Sequence, residues 1–183
     1  MNFVGKSEET ALYELLKKFF SSAPIKSRFK FIGEKKYSGC EKWIQIELLK
    51  FLHDTENVVN DEIAKEDCYS QDQRTNDHRE WQFIDLSFRL SNKQYYIALE
   101  LKHKHNLALA EVENDLAKGK NIKPSQKYYF KKIYCLLIHP FQEEEYINKK
   151  VESNENFSGR MEFTFKIPTS TLACTIFSGP ISK

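Results

Sequence analysis

Apolar residues recur along the chain with two periods, which predict helices near its start and strands in its second half. Helical spacing predicts amphipathic helices at 7–21, with Ser7 as a suitable N-cap, and at 40–54. A third helix is expected at 108–120, where Gly119 suits the C-cap. Alternating or continuous apolar runs predict strands at 84–90, 95–102, 132–139, 161–167 and 171–177. This order indicates a single α/β domain over 1–183, with a mixed sheet flanked by helices on both sides.

Two segments lack a clear period. Residues 25–38 are basic and aromatic and are interpreted as a short strand followed by a turn. Residues 55–80 are polar and are interpreted as a long loop, which holds a short helix near 57–66 or serves as a binding loop.

The composition is that of an ordinary globular domain, with 40% hydrophobic and 30% charged residues in 183. No apolar run approaches the roughly 18 residues that span a bilayer, and the N-terminus lacks an apolar signal core, so no membrane partner is expected. Four scattered cysteines without a CxxC pair predict reduced thiols in a cytoplasmic protein. The net charge of +2 is too small to indicate a partner.

Charged residues interrupt the two most core-like strands, at 84–90 and 95–102. A two-residue turn at Asn92-Lys93 would pair Leu86 with Leu99 and place Ile84, Leu86, Phe88 and Leu90 on one face. The same register puts Asp85 opposite Glu100, with Lys102 one pleat further on that face. Facing carboxylates repel each other, and a bound divalent cation such as Mg²⁺ would offset the repulsion. A cross-strand ion-pair network on a solvated sheet face is the alternative.

The second predicted helix carries a further candidate carboxylate. Glu47 lies between Trp43 and Phe51 on the helical wheel, at the edge of the apolar stripe. It therefore faces the sheet or its rim. Alternatively it pairs with a lysine such as Lys50, or turns out to water.

The order of these features along the chain resembles that of the PD-(D/E)xK nuclease superfamily, the fold of restriction endonucleases. The order is an inward helix glutamate, a strand aspartate, E-x-K on the next strand, and then a helix and a buried strand. The matching residues are Glu47, Asp85, Glu100 and Lys102, within about 40–139. The sequence departs from the motif name, since isoleucine stands where the name has proline. The resemblance implies a restriction endonuclease-like mixed sheet and a magnesium-dependent site that cleaves phosphodiester bonds.

The resemblance also implies roles for individual residues. Asp85 and Glu100, with the carbonyl of Leu101, would hold Mg²⁺, for which Mn²⁺ is a substitute. Glu47 would ligate the same ion through water or help to hold a second one. Lys102 would point at the attacking water and the scissile phosphate. No organic cofactor is expected.

Contacts with the DNA backbone are expected from lysines, because phosphates dominate such binding. Residues 118–132 hold six lysines and three consecutive aromatic residues, although a solvated helix end and loop would have the same composition. The candidates are Lys118, Lys120, Lys123, Lys127, His103 and Lys104. The sequence thus predicts a metal-dependent DNA endonuclease, with a homodimer left open. The alternatives are a catalytically silent domain of the same fold that binds protein or nucleic acid, and an unrelated α/β protein.

Overall fold

The computed structural model describes residues 6–70, 81–91, 93–122 and 129–181, which form five α-helices and a six-stranded sheet. The helices are α1 (Glu8–Ser21), α2 (Ala23–Lys35), α3 (Glu41–His53), α4 (Leu109–Ala117) and α5 (Glu144–Glu152). The strands are β1 (Ala64–Ser70), β2 (Trp81–Arg89), β3 (Tyr96–His103), β4 (Phe130–Pro140), β5 (Arg160–Lys166) and β6 (Leu172–Pro180).

The predicted start of α1 is confirmed. Thr10 N donates to Ser7 Oγ at 3.2 Å, which satisfies one of the amides that a helix leaves unpaired in its first turn. The apolar stripe of α1, including Leu12, Leu16 and Phe19, is fully buried.

The prediction of a strand at 25–38 is wrong, because α2 occupies most of that segment. Pro24 stands in the first turn of α2, where a missing N–H costs nothing. Ile25, Phe29 and Ile32 then recur at helical spacing and are buried. The basic residues between them lie on the outer side of a helix that packs beside α1.

The sheet has the order β1-β2-β3-β4-β6-β5, and only β3 and β4 run parallel. Helices α1, α2 and α3 cover one face, and α4 and α5 cover the other, so a mixed sheet with helices on both sides is confirmed. A short 3-10 helix at Asn60–Glu62 lies where a short helix near 57–66 was one expectation, whereas strand β1 lies in the segment interpreted as a loop. None of the helices in the described ranges is long and apolar enough to cross a bilayer.

The register of the β2–β3 hairpin is the predicted one, with Leu86 opposite Leu99 and Phe88 opposite Ile97. Asn92 of the predicted turn lies outside the described residues. The pairing of β2 with β3 runs only as far as Leu86 and Leu99. Beyond that pair, β2 continues against β1 and β3 continues against β4, so the two central strands diverge at Asp85.

Where the strands diverge, side chains near the start of β2 pack in a different hydrophobic core from those further along the strand. Leu86 and Leu99 pack in the core beneath α1, α2 and α3, whereas Ile84 packs in the core beneath α4. The prediction that Ile84 shares a face with Leu86 is therefore wrong. Ile84 and Leu86 keep their register against β1, and the change of core coincides with the loss of the β3 neighbour between these two residues.

Candidate functional site

Asp85 lies where β2 leaves β3, and its side chain replaces the missing strand. Its Oδ2 accepts the Leu101 N–H at 2.9 Å, and two residues further along β3 the His103 N–H is donated to Glu41 Oε1 at 3.0 Å. Both amides point to the side that β2 has vacated. Two carboxylates thus satisfy backbone donors that a regular ladder would have paired.

The backbone of Asp85 is held from the helical side. Gln45 on α3 is 1% exposed, and its Nε2 donates to the Asp85 carbonyl oxygen at 3.2 Å. The side-chain oxygen of Gln45 is buried and has no hydrogen-bond partner among the described residues. Asp85 is therefore fixed through its carbonyl by α3 and through its carboxylate by β3.

Glu100 is the most deeply buried acid of the site, at 1% exposure. Its Oε2 lies 2.9 Å from Lys118 Nζ, and its Oε1 has no hydrogen-bond partner in the described part of the chain. Burial raises the pKa of Glu100 to about 8; Lys118 opposes this rise, and the charges of Asp85 and Asp115 add to it. The charge of Lys118 therefore does not offset the cost of ionising the buried Glu100 carboxyl.

A third carboxylate, which was not predicted, completes the cluster. Asp115 on α4 is 5% exposed, and its Oδ1 lies 3.1 Å from Lys118 Nζ. The available signal was its position beside Val112 and Leu116, which are buried in the second core. An aspartate on a buried helical stripe needs a charged or hydrogen-bonding partner, and that partner comes from the sheet and from the next turn of the chain.

Lys102 lies in the cluster, as predicted, and its ammonium is held by Asp115 Oδ2 at 2.9 Å. Partial burial opposes its charge, but the hydrogen bond and the charge of Asp115 prevail and raise the pKa of Lys102 above its ordinary value. Its side chain is 24% exposed, so part of the side chain reaches solvent.

Glu47 is not brought to this cluster. It forms an ion pair with Arg28 of α2 and accepts a hydrogen bond from Trp43 Nε1 at 3.2 Å. It also lines a surface cleft between α1, α2 and α3, together with Phe51 and Asp54. The inward polar position on α3 belongs to Gln45.

The candidates for phosphate contact are divided among several environments. Lys118 points into the cluster, Lys104 pairs with Glu111 at 2.6 Å, and Lys120 lies 3.9 Å from a carboxylate oxygen of Glu113. Lys123 and Lys127 lie outside the described residues.

The expectation that His103 contacts phosphate does not fit its position. It is 1% exposed, because β3 extends to this residue and the side chain falls on the face covered by α3. Burial also lowers its pKa, although the charge of Glu41 opposes that effect.

Whether the cluster suits a divalent cation depends on Lys118. Within the described ranges, no three His, Cys, Asp or Glu side chains stand in an arrangement that could hold a metal ion. The ammonium of Lys118 lies between the carboxylates of Glu100 and Asp115. The unpartnered buried Oε1 of Glu100 is nevertheless an oxygen of the kind that hard cations bind, so Asp85 and Glu100 fit such an ion in chemical type.

The fold and the cluster define an α/β domain whose mixed sheet opens between β2 and β3, beside buried carboxylates and their partly exposed lysine partners. Comparison of the chain with protein-family models, with curated proteins and with solved structures gives no match. The cluster itself is therefore the only feature of the described residues from which we infer a function.

Proposed function

We propose that this protein is a metal-dependent endonuclease that hydrolyses phosphodiester bonds of DNA, with Mg²⁺ as the cofactor and Mn²⁺ as a substitute. The observation that carries the proposal is the buried Glu100, whose Oε1 has no partner in the described residues and whose pKa is raised to about 8. Buried oxygens without partners are rare and call for an explanation, and a bound cation supplies one. A fold of the restriction endonuclease type is part of the same proposal.

Asp85 and Glu100, with the carbonyl of Leu101, are the residues that would hold the ion. When bound, Mg²⁺ activates water and stabilises the negative charge that develops on the phosphate. Asp85 has one carboxylate oxygen engaged by the Leu101 N–H, which leaves the other for the ion. Because Glu47 pairs with Arg28, we propose no role for it in holding the ion.

Lys102 acts in this proposal as a fixed positive charge. Asp115 keeps its ammonium protonated and orients it, so it can donate to a phosphate oxygen and position the attacking water. A lysine whose pKa is raised is a poor general base, since it releases its proton only well above neutral pH. In this proposal, a group other than Lys102 deprotonates the attacking water.

A catalytically silent domain that binds protein or nucleic acid is the second candidate. The observation that favours it is Lys118, whose ammonium lies within 2.9 Å of Glu100 and 3.1 Å of Asp115. A cluster in which a lysine bridges two of the acids can remain stable without a metal ion.

Cleavage of a substrate panel separates the two candidates. Supercoiled plasmid, linear duplex, branched DNA and single-stranded RNA would be incubated with Mg²⁺ or Mn²⁺ and either the wild type, Asp85→Asn or Asp61→Asn. Asparagine can still accept the Leu101 N–H, so Asp85→Asn removes the charge while keeping the fold. Asp61 is exposed in the 3-10 helix and serves as the matched control.

We expect the wild type and Asp61→Asn to cleave DNA only with a divalent ion, and Asp85→Asn to lose at least about 100-fold in rate. Cleavage by Asp85→Asn at the wild-type rate would exclude the proposed site. A wild type that cleaves no member of the panel and binds neither ion would leave the silent domain as the better candidate.

A further inference from the structure

Lys118 occupies an unusual position for a lysine, because it bridges two buried acids. It follows the last residue of α4, and its Nζ lies 2.9 Å from Glu100 Oε2 and 3.1 Å from Asp115 Oδ1. The side chains of Glu100 and Asp115 are 2% and 7% exposed, whereas that of Lys118 is 29% exposed. The two acids are thus fixed inside the protein, and the lysine reaches them from the surface.

The charges of the cluster limit what it can hold. With every group ionised, the carboxylates of Asp85, Glu100 and Asp115 exceed the ammoniums of Lys102 and Lys118 by one negative charge. Addition of a divalent cation to this set would leave an excess of positive charge in a buried site, which is unfavourable. If Lys118 moved out as the cation entered, the remaining charges would balance.

We propose that Lys118 is an internal counter-ion that a divalent cation displaces. With Lys118 in place, Asp85, Glu100 and Asp115 do not form a metal site, and Asp115 becomes a third carboxylate of the site only when Lys118 has left. The proposal rests on the metal site of the proposed function and adds two residues to it. The two lysines of the cluster then have different roles. Lys102 stays on Asp115, and Lys118 gives up Glu100 to the incoming ion.

The geometry explains why Lys118 and not Lys102 would leave. Lys118 is the lysine that touches Glu100, whereas Lys102 touches Asp115. Glu100 Oε1 and Asp115 Oδ2 are both buried without a hydrogen bond among the described residues, but Asp115 Oδ2 has the ammonium of Lys102 at 2.9 Å. Lys118 also belongs to the short 3-10 segment after α4 and not to the sheet, so its side chain can swing outward without disturbing a strand. The released ammonium would remain at the mouth of the site, where a phosphate of the substrate would lie. Metal binding would therefore precede, and promote, substrate binding.

Metal affinity tests this proposal without any measurement of cleavage. Mg²⁺ binding would be measured by calorimetry, and by the Mg²⁺-dependent rise in melting temperature, for the wild type, Lys118→Met and Lys120→Met. Methionine keeps the length of the side chain and removes its charge. Lys120 lies two residues further on beside Glu113 and is the matched control. Lys118→Gln, which keeps a hydrogen-bond donor, is used if Lys118→Met does not fold.

We expect the Lys118 variant to bind Mg²⁺ on the order of tenfold more tightly than the wild type, and Lys120→Met to bind it as the wild type does. Equal or weaker binding by the Lys118 variant, with binding abolished in Glu100→Gln, would refute the displacement and leave the metal site intact. Absence of Mg²⁺ binding in both the wild type and the Lys118 variant would refute the metal site and the displacement together.

Discussion

Replacement of Glu100 with glutamine tests the electrostatics of the site through protein stability. The folded protein raises the pKa of Glu100 from 4.5 to about 8, chiefly by burial, whereas the unfolded chain leaves it near its ordinary value. Between these two values the folded state holds a proton that the unfolded state has released. The free energy of unfolding therefore falls as pH rises through this window, and the contribution of Glu100 is fully present only below about pH 4.5.

The size of the effect follows from the same two values. Each tenfold change in proton affinity corresponds to about 1.4 kcal/mol, so the difference between 4.5 and about 8 sets an upper limit of about 5 kcal/mol. Glutamine has nearly the same shape and does not titrate. Relative to the wild type, Glu100→Gln should become progressively more stable from pH 5 to pH 8, by several kcal/mol in total.

The assay is urea unfolding followed by circular dichroism at pH 5, 6, 7 and 8, in EDTA to remove metal ions. Burial lowers the pKa values of His103 and His139, which makes the wild type more stable as pH rises through their range, so the wild-type curve alone is not informative. The difference between variant and wild type cancels those contributions. Glu111→Gln, an exposed acid on α4, is the control and should follow the wild type. If Glu100→Gln also follows the wild-type curve, the carboxyl of Glu100 is not perturbed and the reasoning fails.

Two further predictions concern acids outside the cluster. Glu47→Gln should leave metal binding and cleavage unchanged and cost at most about 1 kcal/mol in urea unfolding, because its ion pair with Arg28 is partly exposed; loss of metal binding would instead place Glu47 in the site. Tyr134→Phe should lower the free energy of unfolding by about 1–3 kcal/mol, because the fully buried Tyr134 hydroxyl donates to the buried Glu8 carboxyl; an unchanged stability would show that this hydrogen bond contributes nothing.

The hairpin was predictable from sequence because two strong local constraints agree. Apolar residues alternate on both strands, and the connection between them is short, so a slip of one residue would turn every apolar side chain to the wrong face. Leu86 therefore had to face Leu99. The predicted position of Asp85 directly opposite Glu100 is not part of the observed pairing, which ends at Leu86 and Leu99. The extent of the pairing was not predictable, because the divergence after Leu86 depends on the outer strands that compete for β2 and β3.

The remaining errors have a common physical origin in tertiary contacts. Residues 25–38 look basic because α2 exposes one side to solvent, and only its packing beside α1 shows why Ile25, Phe29 and Ile32 form a single stripe. Asp115 was missed because nothing within α4 indicates that two lysines converge on it. One of those lysines, Lys102, lies on β3, and the docking of α4 on the sheet is what brings it to Asp115.

The difference between Gln45 and Glu47 follows from the divergence of the strands. With about 100° of rotation per residue, Glu41, Gln45, Leu48 and Leu52 lie on one line along α3, and Glu47 lies well away from it, towards α2. The apolar residues of this line, Leu48 and Leu52, pack in the core. The polar ones, Glu41 and Gln45, bond to backbone groups at the gap between β2 and β3.

The gap between β2 and β3 requires polar residues on this side of α3. Once β2 leaves β3, the Asp85 carbonyl and the His103 N–H would be buried without partners, and Gln45 and Glu41 supply those partners from the helix. A glutamate at position 45 could not donate to the carbonyl, whereas a glutamine can. The same opening that places the carboxylate of Asp85 beside β3 thus fixes the chemistry of the helix that closes over it, and the inward residue of α3 is an amide for a structural reason.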